Sequence, residues 1–206
     1  MIITYLGKEF FKIQQGELVV AINPIGKDSK EKASRFGARI ALSTMNHPDF
    51  NGFEQVAHGD TVPFAISGPG DYEIQSIFLK GIGTEAEYDK EKYINTIYSF
   101  SIENISICFL GALSNGKLPA DVREQIDAPD IVFISVGGSG TMDASEAYKL
   151  AVSLDAKVII PMEYDDKLLK AFLKEGGQES VKAIEKLTIK AKELADKEGE
   201  IIVLSV

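Results

Sequence analysis

The sequence predicts a four-layer αβ/βα sandwich, an α+β chain with two mixed β-sheets face to face and helices outside. Residues 2–110 are dominated by apolar or alternating runs of strand length. From Leu118 onward such runs alternate with helix-like stretches. Strands first and βα units afterwards call for two packed sheets, one completed by parallel strands with helical crossovers. No low-complexity linker interrupts the pattern, so a single domain over residues 1–206 is expected, long enough for a substantial core.

The elements follow in order. Runs 2–6, 10–14 and 17–22 read as strands, the last two joined by a turn at Gln15-Gly16. Asn23-Pro24 ends that hairpin, because proline cannot donate to a ladder. Residues 27–32 form a charged loop or short helix, and 39–43 a fourth strand. Strands at 62–67 and 72–80 flank the turn-rich Gly68-Pro69-Gly70-Asp71. Runs 94–102 and 105–110 make a hairpin across Glu103-Asn104, the first with period-two alternation. Residues 119–126 read as a short helix, with Pro119 tolerated in its first turn. Run 130–136 is a continuous apolar strand, covered on both faces. Residues 143–154 form a helix that Asp143 can cap, with Glu146 three places on. Its core stripe is Tyr148, Leu150, Ala151 and Leu154. Strand 157–161, helix 165–174, a short helix from Glu179, and strands near 187–190 and 200–206 complete the chain. The charge-rich run 85–92 reads as a solvated loop.

Composition narrows the function. The chain has 22 Lys and Arg against 31 Asp and Glu, a net charge of −9. That sign repels phosphate backbones and anionic lipid, so neither nucleic acid nor a membrane is expected as a partner. No apolar run approaches the ~20 residues of a membrane span. The start lacks the features of a signal peptide, and a cytoplasmic protein is expected. The one cysteine, Cys108, sits in an apolar run and reads as a buried small hydrophobe.

The stretch Leu42-Ser43-Thr44-Met45-Asn46-His47-Pro48-Asp49-Phe50-Asn51 turns a strand end into polar chain. It resembles the metal-binding loop of the metallo-β-lactamase fold, with its signature His-x-His-x-Asp-His. The resemblance extends over nearly the whole chain. Ile3-Thr4-Tyr5-Leu6-Gly7 is similar to the family's opening strand, with Lys8-Glu9 where a His-Ser or similar pair is usual. Asn23-Pro24 stands at a common Asp-Pro. Ser67-Gly68-Pro69-Gly70-Asp71-Tyr72-Glu73, the blocks Val136-Gly137-Gly138 and Thr141-Met142-Asp143-Ala144, and Ile160-Pro161-Met162-Glu163-Tyr164 resemble one branch. That branch is the small bacterial and archaeal hydrolases related to L-ascorbate-6-phosphate lactonase.

The resemblance implies one or two divalent metals, usually zinc, that generate a hydroxide nucleophile. Laid on this chain, the four signature places hold Met45, His47, Asp49 and Phe50. The third-loop histidine, expected near 84–87, falls on Ala86. The bridging aspartate of Leu-Gly-Asp is Ala112, and the histidine of Pro-Met-His-Tyr is Glu163. Thioether, phenyl and methyl groups are poor zinc partners, and two histidines cannot build a dinuclear His-rich centre.

The leading expectation is therefore a pseudoenzyme without a cofactor, binding a small molecule or protein through the old cleft or serving in an assembly. In it, Met45, Phe50 and Ala112 fill the former metal cavity, His47 bonds to Asp49, and Glu163 is exposed or ion-paired. The alternative is a hydrolase with one Zn²⁺, Mn²⁺ or Mg²⁺ on His47, Asp49 and Glu163. It would act on a phosphosugar, lactone or ester, with Asp49 orienting the water or accepting its proton. A nuclease is a third reading, against which the −9 charge weighs. His58 reads as a surface residue in a polar turn. The loop Gly137-Gly138-Ser139-Gly140-Thr141 reads as a strand-to-helix connection, or else an anion cradle. Pairing of edge strands makes a homo-oligomer plausible.

Overall fold

The structure, a computed structural model, describes residues 1–137 and 140–206. Its first sheet is built from β1 (Ile2–Tyr5), β2 (Phe11–Gln15), β3 (Leu18–Ile22), β4 (Ile40–Leu42) and β5 (Phe64–Ile66). The second begins with β6 (Gly70–Ile74), β7 (Ile77–Tyr88), β8 (Glu91–Ile102) and β9 (Ile105–Phe109). It continues through α1 (Ala120–Arg123), β10 (Ile131–Ser135), α2 (Ala144–Ser153), β11 (Val158–Met162) and α3 (Asp166–Glu175). The tail then supplies β12 (Lys186–Thr188) to the first sheet and β13 (Glu200–Ile201) to the second.

Strand order is β12-β1-β2-β3-β4-β5 in one sheet and β13-β11-β10-β9-β8-β7-β6 in the other. Both are mixed: β12, β1, β2 and β3 pair antiparallel, as do β6 to β9, whereas β3 to β5 pair parallel, as do β9, β10, β11 and β13. The main core lies between the sheets. Ile3, Tyr5, Phe11 and Ile13 meet Tyr98, Phe109, Phe133 and Ile160 there. Phe11 contacts Phe133 edge-on at 4.8 Å between ring centroids, an arrangement aromatic quadrupoles favour. Outside the second sheet, Val132, Ile134 and Ile159 pack under Leu150, Leu154 and Phe172 of the helical layer. The predicted fold class is observed, with one difference in its outer layers. Over the first sheet, Phe10, Ala21 and Ala41 are covered by loop residues and a single 3-10 turn, Phe53–Val56.

Three segments depart from the sequence reading. The run 85–92 is the end of a long hairpin, not a loop: β7 and β8 continue to a tight turn at Asp89-Lys90. Both turn residues have positive φ, as the mirror-image turns that match strand twist require. Residues 72–80 are two strands, broken by a similar turn at Gln75-Ser76. Neither turn has a glycine to announce it. No helix starts at Glu179; that segment runs as turn and extended chain to β12. Residues 27–32 take the loop, not the short helix, of the two alternatives read for them. Asp143 does cap α2, accepting the Glu146 amide at 2.9 Å.

Candidate functional site

Several chain segments meet at one rim of the sandwich, most of them placed by backbone chemistry. The β1–β2 connection turns on Gly7 (φ 100°) and Lys8 (φ 54°), closed by the Phe10 amide donating to the Gly7 carbonyl at 2.8 Å. The carbonyl of Lys8 accepts from the Tyr5 hydroxyl at 2.7 Å and from the Glu163 amide at 3.0 Å, tying this turn to the end of β11. The loop after β4 is anchored by buried Asn23 (φ 52°), whose Oδ1 accepts the Thr44 amide at 2.8 Å. The turn after β9 requires its glycine. Gly111 has φ 67°, and a Cβ there would stand 2.1 Å from Asn95 Oδ1. The same Asn95 oxygen accepts the Ala112 amide at 3.1 Å.

The sequence-assigned positions come together here. Met45, Phe50, Ala86 and Ala112 pack in one apolar cluster with Tyr88, and Tyr93 leans on it. Phe50 and Tyr88 contact edge-on at 4.9 Å. His47 stands beside this cluster, its ring 5.0 Å from Tyr88 and 5.8 Å from Tyr93. Its Nδ1 accepts the Asp49 amide at 3.2 Å, an arrangement that leaves the imidazole proton on Nε2. Asp49 receives two hydroxyl donors, Ser29 on Oδ1 and Tyr88 on Oδ2 at 2.8 Å. Glu163 (φ 51°) is buried and ion-paired, not exposed. It borders a shallow cavity of about 340 Å³ with Tyr5, Lys8, Glu31, Tyr164, Asp165 and Leu168.

Two residues to which the sequence reading gave no role, Lys8 and Glu9, hold the site together. Lys8 Nζ lies 3.5 Å from Glu163 Oε1, 3.9 Å from Asp49 Oδ2, 3.7 Å from Glu31 Oε1 and 3.2 Å from the Tyr88 hydroxyl. Burial alone would lower its pKa, but the Glu163, Asp49 and Glu31 carboxylates outweigh that and raise it, so Lys8 stays cationic. Behind it, Glu9 is fully buried and accepts from Ser135 and, at 3.1 Å, from Asn23 Nδ2. Burial and the adjacent Glu163 carboxylate push Glu9 well above the usual carboxylate range. Among the described residues, no group of three or more His, Cys, Asp or Glu is placed to hold a metal ion.

The remaining candidates lie apart from this chemistry. His58 is exposed in a turn closed by paired backbone bonds with Thr61, 3.0 Å each. Cys108 is buried, and burial pushes its thiol up to about 12, which leaves no thiolate at neutral pH. Of the glycine-rich loop, Gly138 and Ser139 lie outside the described residues; Gly137 donates its amide to Thr141 Oγ1 at 3.1 Å. No helix is long and apolar enough to cross a membrane among the described residues.

Solved structures resemble the whole chain. A candidate zinc-dependent hydrolase of the metallo-β-lactamase superfamily from Thermotoga maritima matches with a TM-score of 0.78 at 26% identity, over 98% of this chain and 97% of that one. A metallo hydrolase from the archaeon Ignicoccus hospitalis matches at 0.58 and 17% identity, over 92% and 99%. An isothiocyanate hydrolase from Delia radicum gut bacteria matches at 0.65 and 12% identity, over 93% and 100%. No curated protein matches the sequence. The model of the β-lactamase superfamily domain matches residues 2–163, and with that match and this sandwich the chain belongs to the metallo-β-lactamase superfamily.

Proposed function

We propose that this protein is a pseudoenzyme of its superfamily, a cytoplasmic binding or assembly component that does not run metal-dependent hydrolysis. The observation that carries this reading is the apolar cluster of Met45, Phe50, Ala86 and Ala112 with Tyr88. These four stand at positions where the family resemblance places ligands, and none of their side chains donates well to a hard or borderline cation. The donor set that remains does not fit a resident metal. Asp49 is occupied by two hydroxyls, the Nδ1 lone pair of His47 by an amide, and an ammonium stands between Asp49 and Glu163.

The names of the solved relatives support the alternative, a hydrolase with an altered mononuclear site on His47, Asp49 and Glu163. That reading requires Lys8 to leave its seat. Elemental analysis of protein purified without a metal-affinity column separates the two. Metal well below one equivalent per chain is expected, together with a thermal midpoint that chelator leaves within about 1 °C, because ligands that bind only the folded state raise it by mass action. Near-stoichiometric metal, or a clear drop with chelator, overturns the reading. In the pseudoenzyme reading the cleft serves a small molecule, a protein or a second copy of the chain, and the net charge of −9 disfavours nucleic acid.

A further inference from the structure

We propose that the ammonium of Lys8 is a built-in replacement for a bound cation, seated by Asp49, Glu163, Glu31 and Tyr88. The inference rests on the reading above and names what the site accepts: a compact, hard cation, which this chain supplies from its own side chain. Three features point to it.

The first is convergence. The β3–β4 connection, the loop after β4 and the end of β11 bring oxygens of Glu31, Asp49 and Glu163 to 3.5–3.9 Å from one nitrogen, that of Lys8 on the β1–β2 turn. Carboxylates so close in a partly desolvated rim repel each other unless a positive charge stands among them. The second is the rigidity of the mount. Lys8 holds a left-handed backbone conformation that a non-glycine residue rarely adopts, as does Glu163. Their main chains are fastened to each other by the bond from the Glu163 amide to the Lys8 carbonyl. A side chain that only needed solvent would not require that geometry. The third is the depth of the seat. Fully buried Glu9 lies behind Glu163, and its own oxygens accept from Ser135 and Asn23. The wall facing Lys8 is therefore backed by a hydrogen-bonded polar interior, in which the burial of Glu9 beside Glu163 favours its neutral form.

The Tyr88 hydroxyl completes the shell by serving both partners: it donates to Asp49 and lies 3.2 Å from Lys8 Nζ. The ammonium stands 5.7 Å from the centroid of that ring, on its hydroxyl side. An ammonium has three donors at tetrahedral angles and needs neither imidazole nor thiolate, which agrees with a site stripped of most histidines.

The test is chemical rescue. Lys8→Ala vacates both charge and volume; Lys8→Met removes the charge and keeps the stem. Both variants are expected to melt roughly 5–10 °C below the parent protein, the shift that loss of one partner in a partly buried ion-pair network gives in a chain of this size. Ethylammonium, and separately Mn²⁺ or Mg²⁺, should raise the midpoint of Lys8→Ala along a saturable curve. Tetramethylammonium at equal ionic strength should not, having no N–H to donate. Lys8→Met and the parent protein should not respond to any of them. If Lys8→Ala does not fold alone, it is refolded from urea with and without ethylammonium, and folding that needs the cation carries the same support. Lack of rescue by every cation, or an equal response from Lys8→Met, overturns the inference while leaving the pseudoenzyme reading in place. A rise for the parent protein with Mn²⁺ sinks that reading instead.

Discussion

Asp49 is held by two hydroxyls from distant parts of the chain, Ser29 before it and Tyr88 at the end of β7. Tyr88 is fully buried, so its hydroxyl is the polar end of an otherwise apolar plug. Tyr88→Phe keeps the ring against Phe50 and removes the donor to Asp49. A loss of about 1–2 kcal/mol is expected from urea unfolding, since the carboxylate keeps its burial and loses a charge-assisted bond. An unchanged midpoint would mean that water or Lys8 substitutes fully. At this scale the sequence was readable where order and motif carried the information: His47, Asp49, Glu163 and the four apolar positions all reach the rim. Lys8 and Glu9 were not readable. A charged residue beside a glycine turn looks solvated, and only the approach of Glu163, 155 positions away, makes it a buried partner.

Elements whose pattern is local were readable as well, and those decided by neighbours were not. Glu85 and Glu87 face outward while Ala86 and Tyr88 face in, so the period of a strand was present in run 85–92 beneath its charge. Its turn, Asp89-Lys90, lacks the glycine that marks most such hairpins. The parallel strands of the second sheet were marked by continuous apolar runs, yet their fastening was hidden. Asp130, just before β10, accepts from the Ser106 amide of β9 at 2.8 Å and from Lys157, just before β11, at 2.6 Å. Burial raises the Asp130 pKa, but Lys157 and Ser106 outweigh it and hold the carboxyl below the usual range. The sign follows: its stabilisation is present above the ordinary carboxylate pKa and is lost as pH falls through the lowered folded value. Asp130→Asn should therefore destabilise by about 1 kcal/mol at pH 7, a modest figure because Lys157 is partly exposed. The gap should close below about pH 4 in urea titrations; a gap that is constant with pH would remove the ion pair from the account.

For the whole molecule, strands first and βα units afterwards were enough to give two mixed sheets, because each class of pattern has few packing solutions. The outer layer over the first sheet escaped that logic, since loop residues and one 3-10 turn cover it. The tail was also poorly read. β12 has three residues and β13 two, too few for any period, and they are strands because β1 and β11 offer them edges. Ending the chain after Glu163 retains the family match, strips an edge strand from each sheet and removes α3 with its core residues Phe172 and Leu173. Size-exclusion chromatography should then find aggregate where the full chain elutes as a defined species, since bare edges recruit other chains. A well-behaved truncated form would contradict this.

The pairing of β1 with β12 also has a consequence in time. Ile2, Ile3 and Thr4 leave a ribosome well before their partners Thr188, Leu187 and Lys186. The nascent chain therefore carries an incomplete first sheet until β12 emerges. In that interval its earliest strand depends on chaperones, or on Phe11 to Gln15 alone, to stay out of trouble.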